Sequence, residues 1–137
     1  MDTNTASSQP NYLLLFRHTD WDRDLTAEQT REVMDQVNAW FEDLARKGKS
    51  LGGFPLLEHG KTVSSDKGKT QVTDGPFAES KEAVGGYLLL HAKDMEDAVA
   101  IASSSPLLIL GVVTEVRELA QECPILERMK EEVEASA

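Results

Sequence analysis

The chain has a single cysteine, Cys123. No intrachain disulfide can therefore form, and a thiolate metal cage has no ligands to draw on. Long apolar runs are also missing. Nothing approaches the roughly 20 residues that cross a bilayer, and Met1 to Pro10 has neither the basic nor the apolar region of a secretion signal, so the expected location is the cytoplasm. Basic residues are scarce, 14 Lys and Arg against 24 Asp and Glu, for a net charge of −10. That field repels a phosphate backbone and no basic stripe offsets it, which argues against nucleic acid as a partner. The acidic clusters at 20–24 and 127–134 read as solvated surface. The three histidines, His18, His59 and His91, are scattered without HxH or HExxH spacing, so neither a metal nor a cofactor is expected.

With 137 residues, 40% of them hydrophobic, the chain suits one domain that buries roughly two thirds of its unfolded surface. The small, polar residues 1–10 read as a disordered tail. Tyr12 to Arg17 is an apolar run of strand length, and His18 to Asp24 follows as a loop. Thr26 is placed to cap a helix, with Gln29 at the capping-box position. Val33, Met34, Val37, Trp40, Phe41 and Leu44 then recur at helical spacing until Gly48. Leu51 to Glu58 and Lys61 to Ser65 read as two strands joined at His59-Gly60, with Lys69 to Thr73 a third piece beyond the Asp66-Lys67-Gly68 turn. Tyr87 to Ala92 is a strand, Asp94 caps a second helix ending before Pro106, and Val112 to Leu119 is the last strand. Pro124 opens a C-terminal helix with Ile125, Leu126, Met129 and Val133 on one side.

This order matches a split βαβ arrangement, α+β in class, with both helices on one face of the sheet. Strand alternation puts Tyr87, Leu89 and His91 on one face and Leu88, Leu90 and Ala92 on the helix side. Glu115 and Arg117 join the open face, and Arg17 faces them from the first strand. Such a group can orient a carboxylate, or else pair only with itself across the sheet. Asp74-Gly75-Pro76 is turn chemistry, and Gly85-Gly86 permits a bulge or a close backbone approach. Asp74 is either an acid-base group at a cleft edge or an Asx-turn residue bonded to its own loop. Trp21, between Asp20 and Asp22, lids a cleft or packs on the sheet edge. Phe77 and Tyr87 wall a pocket or plug the core.

Asp74-Gly75-Pro76-Phe77-Ala78-Glu79-Ser80-Lys81-Glu82, followed by Gly85-Gly86-Tyr87, resembles the signature of DGPF-type, YCII-related proteins. The resemblance runs from Tyr12 to about Leu119. It implies a YCII-related domain over 11–120 and leaves 121–137 as a helical extension. It further implies a ferredoxin-like domain whose open face meets a second copy to form a dimeric α/β barrel, with Lys81 beside the cleft. Relatives that look enzymatic pair a His in the first helix with an Asp before a Pro-Phe segment. Val37 and Ser105 stand near those positions here, and neither supports a His-Asp relay. An accessory role in sigma-factor regulation is implied only by association. Three readings follow. The first is a homodimer that binds a small anionic molecule among Arg17, Trp21, Asp74, Glu115 and Arg117. The second is an acid-base enzyme, a small lyase or isomerase, using Asp74 or His18. The third is a structural or partner-binding dimer that uses the C-terminal helix.

Overall fold

Tyr12, Leu14 and Phe16 are buried in strand β1 (Tyr12–Arg17), while Leu13, Leu15 and Arg17 between them are only half-buried. This alternation gives the sheet one covered and one open face. The computed structural model describes residues 9–75 and 83–136. Helix α1 (Ala27–Arg46) follows, and both capping-box bonds form: the Gln29 N–H donates to Thr26 Oγ1 at 3.1 Å and the Thr26 N–H to Gln29 Oε1 at 2.9 Å. Then come β2 (Ser50–Pro55), β3 (Lys61–Asp66), β4 (Lys69–Asp74), β5 (Val84–Leu90), α2 (Met95–Ser103), a 3-10 turn (Leu108–Leu110), β6 (Val113–Glu118) and α3 (Pro124–Ser136). Asp94 caps α2 by accepting from the Asp97 N–H at 2.9 Å.

The main sheet runs β2-β5-β1-β6, every pair antiparallel. Leaving aside the β3–β4 insertion, this is the ferredoxin-like split βαβ order, and the fold is α+β. α1 lies against β2 and α2 against β6. Leu44 of α1 and Ala98, Ile101 and Ala102 of α2 close over Leu14, Leu88 and Leu90. Burying these side chains contributes about 1.5–3 kcal/mol for each large one, the main favourable term in a core of this size. Val37 is buried as well. Asn11 ties the start of β1 to the end of β5 through two bonds with the Ala92 backbone, 2.7 and 2.9 Å.

Two sequence expectations change. β2 ends at Pro55 rather than Glu58, because proline has no N–H with which to extend the ladder. The strand at 61–65 does not pair with β2: β2 pairs with β5, while β3 and β4 pair only with each other. Lys67 and Gly68, at φ 52° and 84°, make the two-residue turn that closes this separate hairpin. Most of the tail expected at 1–10 lies outside the described residues.

Candidate functional site

Beyond Arg17 the chain leaves the sheet through His18, whose φ of 58° lies in the left-handed region seldom entered by non-glycine residues. Two turn bonds then coil the loop, from the Arg23 N–H to the Asp20 carbonyl at 3.3 Å and from the Leu25 N–H to the Asp22 carbonyl at 3.1 Å. Thr19 comes to rest over Gly85, where a Cβ would overlap its hydroxyl. This is the close approach that the Gly-Gly step permits. Across from the loop runs 56–60, held at its start by the Leu56 N–H bonding the Gly85 carbonyl at 2.8 Å. The two segments and Ala83 to Gly85 enclose a cleft of about 470 Å³, within the usual range for small-molecule sites.

His18 and His59 both line this cleft, with Asp20, Asp22, Arg23 and Glu58 as its charged groups and Leu56, Leu57 and Val84 as its apolar ones. Arg23 Nε lies 3.6 Å from Asp20 Oδ2, so the remaining carboxylates leave the cleft acidic and able to accept hydrogen bonds. Arg17, one residue before His18, lies on the open face beside it and is in register with Val84 of the cleft floor. Its Nη2 sits 3.3 Å from Glu115 Oε1, while Arg117 Nη1 donates to Glu115 Oε2 at 3.1 Å. Two guanidinium groups thus share one carboxylate, leaving the triad with an excess of positive charge. Arg17 Nε is buried without a hydrogen-bond partner among the described residues.

The structure therefore brings together Arg17, Glu115 and Arg117, and places His18 in the adjoining cleft. Tyr87 is half-buried on the open face, its ring centroid 6.4 Å from that of Phe54. Trp21 is turned away: its neighbours Asp20 and Asp22 line the cleft, whereas its own ring packs against the core. Asp74 does not line the cleft either. It ends β4, exposed, with its carboxylate on the Lys61 ammonium opposite. Phe77 and Lys81 lie outside the described residues. Val37 is buried in α1, and the buried Ser105 hydroxyl accepts the Leu107 N–H at 3.2 Å, so neither reaches the cleft. Sequence reasoning missed His59, Glu58 and the Leu56-Leu57 wall. The available signal was Pro55, which forces the chain off the sheet edge just before them. Among the described residues no group of three His, Cys, Asp or Glu could hold a metal ion, and no helix is long and apolar enough to cross a membrane.

One antiparallel sheet under two helices, with a polar cleft at one end and an ion-paired open face, defines a ferredoxin-like α+β domain. The chain belongs to the YCII-related domain family, whose model matches residues 11–120. No curated protein matches it. Among solved structures it is similar to the 5-chloro-2-hydroxyhydroquinone dehydrochlorinase of Burkholderia phenoliruptrix AC1100 in complex with 2,5-dihydroxybenzoquinone. That likeness has a TM-score of 0.46 and 19% identity, over 81% of this chain and 95% of the other.

Proposed function

We propose that this protein is a cytoplasmic, homodimeric YCII-related domain that binds a small anionic molecule at the junction of the cleft and the open sheet face. The observation that carries the reading is the cleft itself, which two histidines distant in sequence both line, with Arg17 of the Arg17–Glu115–Arg117 triad next in sequence to one of them. The ligand's negative end meets Arg17 and Arg117, and a body bearing hydroxyl or amino donors meets the carboxylates and histidines of the cleft. Leu13, Leu15, Tyr87 and Leu89, half-buried on the open face, are the surface that a second copy covers, closing the two sheets into a barrel.

A panel of small carboxylates bearing hydroxyl or amino groups, screened by thermal shift and measured by calorimetry, tests this reading. Binding should weaken at least tenfold in His18→Asn, which keeps the left-handed backbone accessible, and in Arg17→Ala. It should be unchanged in Lys61→Ala, on the hairpin. Equal affinity in all three variants would place the ligand elsewhere. Leu15→Asp should turn a dimer into a monomer in sedimentation, with its circular dichroism spectrum unchanged.

A second reading, acid-base catalysis of the lyase or isomerase type, is favoured by one observation, the left-handed backbone at His18, since such conformations gather at functional sites. In that case His18, with His59 across the cleft, carries the proton rather than Asp74, and turnover of a bound carboxylate should be lost in His18→Asn while its affinity is retained. The sigma-factor context comes from resemblance alone, and nothing in the cleft geometry speaks for it.

A further inference from the structure

On the helix side of the sheet, α1 and α2 leave a groove of about 290 Å³ between them. It shares no lining residue with the cleft. Leu44 and Ile101, both buried, form its apolar part, and Trp40 lines it beside them. The Trp40 indole is held in place: its Nε1–H donates to Ser104 Oγ at 2.8 Å, and its ring centroid lies 5.2 Å from that of Phe41. An aromatic wall fixed in this way loses little further freedom when a ligand packs on it.

Four charged side chains also line the groove, two of each sign. Asp43 and Lys47 pair with each other, Oδ2 to Nζ at 2.8 Å, and Arg46 takes the second Asp43 oxygen at 2.5 Å. Lys49 and Asp97 are both half-buried, and among the described residues neither has an opposite charge within 4.0 Å. Their attachment points are fixed. The Lys49 N–H donates to the Leu44 carbonyl at 2.9 Å, and the Lys49 carbonyl accepts the His91 N–H at 2.8 Å. Asp97 accepts the Lys93 N–H on Oδ2 at 2.9 Å, which leaves Oδ1 for another donor. A half-buried charge is incompletely hydrated and gains from a charge-assisted hydrogen bond.

We propose that this groove is a second ligand site, and that it takes a free α-amino acid with an apolar side chain. The carboxylate meets Lys49, the ammonium meets Asp97 Oδ1, and the side chain lies against Trp40. A sphere of the groove's volume is about 8 Å across, close to the roughly 3 Å between an amino acid's two charges plus a charge-assisted bond of about 2.8 Å at each end. A simple anion or a simple cation leaves one of the two charges unmet. The site requires neither the homodimer nor the ligand of the cleft.

Calorimetry of the full chain tests it with L-leucine and two probes that keep leucine's side chain but only one of its charges: isocaproate, without the ammonium, and isoamylamine, without the carboxylate. Leucine should bind at least tenfold more tightly than either, since each charged hydrogen bond contributes about 1.5–3 kcal/mol. Lys49→Gln should weaken leucine and isocaproate at least tenfold and leave isoamylamine unchanged. Asp97→Asn, whose amide oxygen still accepts the Lys93 N–H, should weaken leucine and isoamylamine and leave isocaproate unchanged. Leucine bound no more tightly than its analogues, equally tight in wild type and both variants, or not bound by the wild-type chain at all, would overturn the proposal. Arg17→Ala separates this site from the cleft: leucine affinity should be unchanged there, and its loss would place leucine in the cleft and overturn the proposal as well.

Discussion

Gly85→Ala puts the packing beneath the cleft to the test. A Cβ at this position overlaps the Thr19 hydroxyl and comes within 2.7 Å of the Thr19 Cβ and methyl. Gly85 is not among the glycines with positive φ, so its backbone accepts alanine, and chain entropy alone favours the change by about 0.4–1 kcal/mol. The steric term opposes it. Rotating Thr19 about χ1 relieves the hydroxyl and methyl contacts but leaves its Cβ in place, so the loop carrying His18 and Asp20 has to move. Overpacking of this kind costs about 1–3 kcal/mol, which leaves a net loss near 1–2 kcal/mol and lowers Tm by roughly 3–6 °C in a domain of this size. Thr19→Gly removes all three offending atoms, so the double-mutant cycle should show a favourable coupling of about 1 kcal/mol or more. Urea unfolding followed by tryptophan fluorescence measures it, Trp21 and Trp40 being the two tryptophans of the chain. A Gly85→Ala protein with the wild-type urea midpoint, or strictly additive effects, would refute the close packing of Thr19 on Gly85.

Two further outcomes follow from the core. Leu14 is fully buried at the centre of the sheet, so Leu14→Ala should lower unfolding stability by about 2–5 kcal/mol, read from the same urea curves. Burial of the Tyr12 phenol, reinforced by Glu118 and Asp94, raises its pKa above the ordinary 10.0. Because the unfolded chain then releases that proton first, stability is complete below the ordinary value and is lost as pH rises through the folded one. Ultraviolet difference titration should show Tyr12 ionising above the ordinary tyrosine value, and Tyr12→Phe should flatten the alkaline loss of stability.

Much of the fold is legible in local pattern. Alternation along 12–17 and 87–92 assigns the two sheet faces, and the pair Thr26 and Gln29 marks the start of α1, because these signals need only neighbours in sequence. The parity of Arg17, Glu115 and Arg117 is legible in the same way. Pairing is not. His59-Gly60 looks like a hairpin tip, yet the strands on either side of it choose other partners, β2 joining β5 and β3 joining β4. Asp74 looks like the likeliest acid-base group from its turn, but the ladder sets it opposite Lys61, which occupies its carboxylate. Trp21 has charged neighbours in sequence, and still the core claims its ring.

The sequence by itself determined the order of the elements, the covered side of the strands at 87–92 and 113–118, and a net charge of −10. All of these depend on composition or on spacings of a few residues. Only the tertiary structure decided that β1 lies between β5 and β6, which sets Arg17 against Glu115, and that β2 pairs with β5, which leaves His18 and His59 lining the same cleft. Strand order and register are fixed by hydrogen bonds and burial between segments far apart in the chain. The cleft is a product of those long-range pairings, and of the room that Gly85 leaves for Thr19.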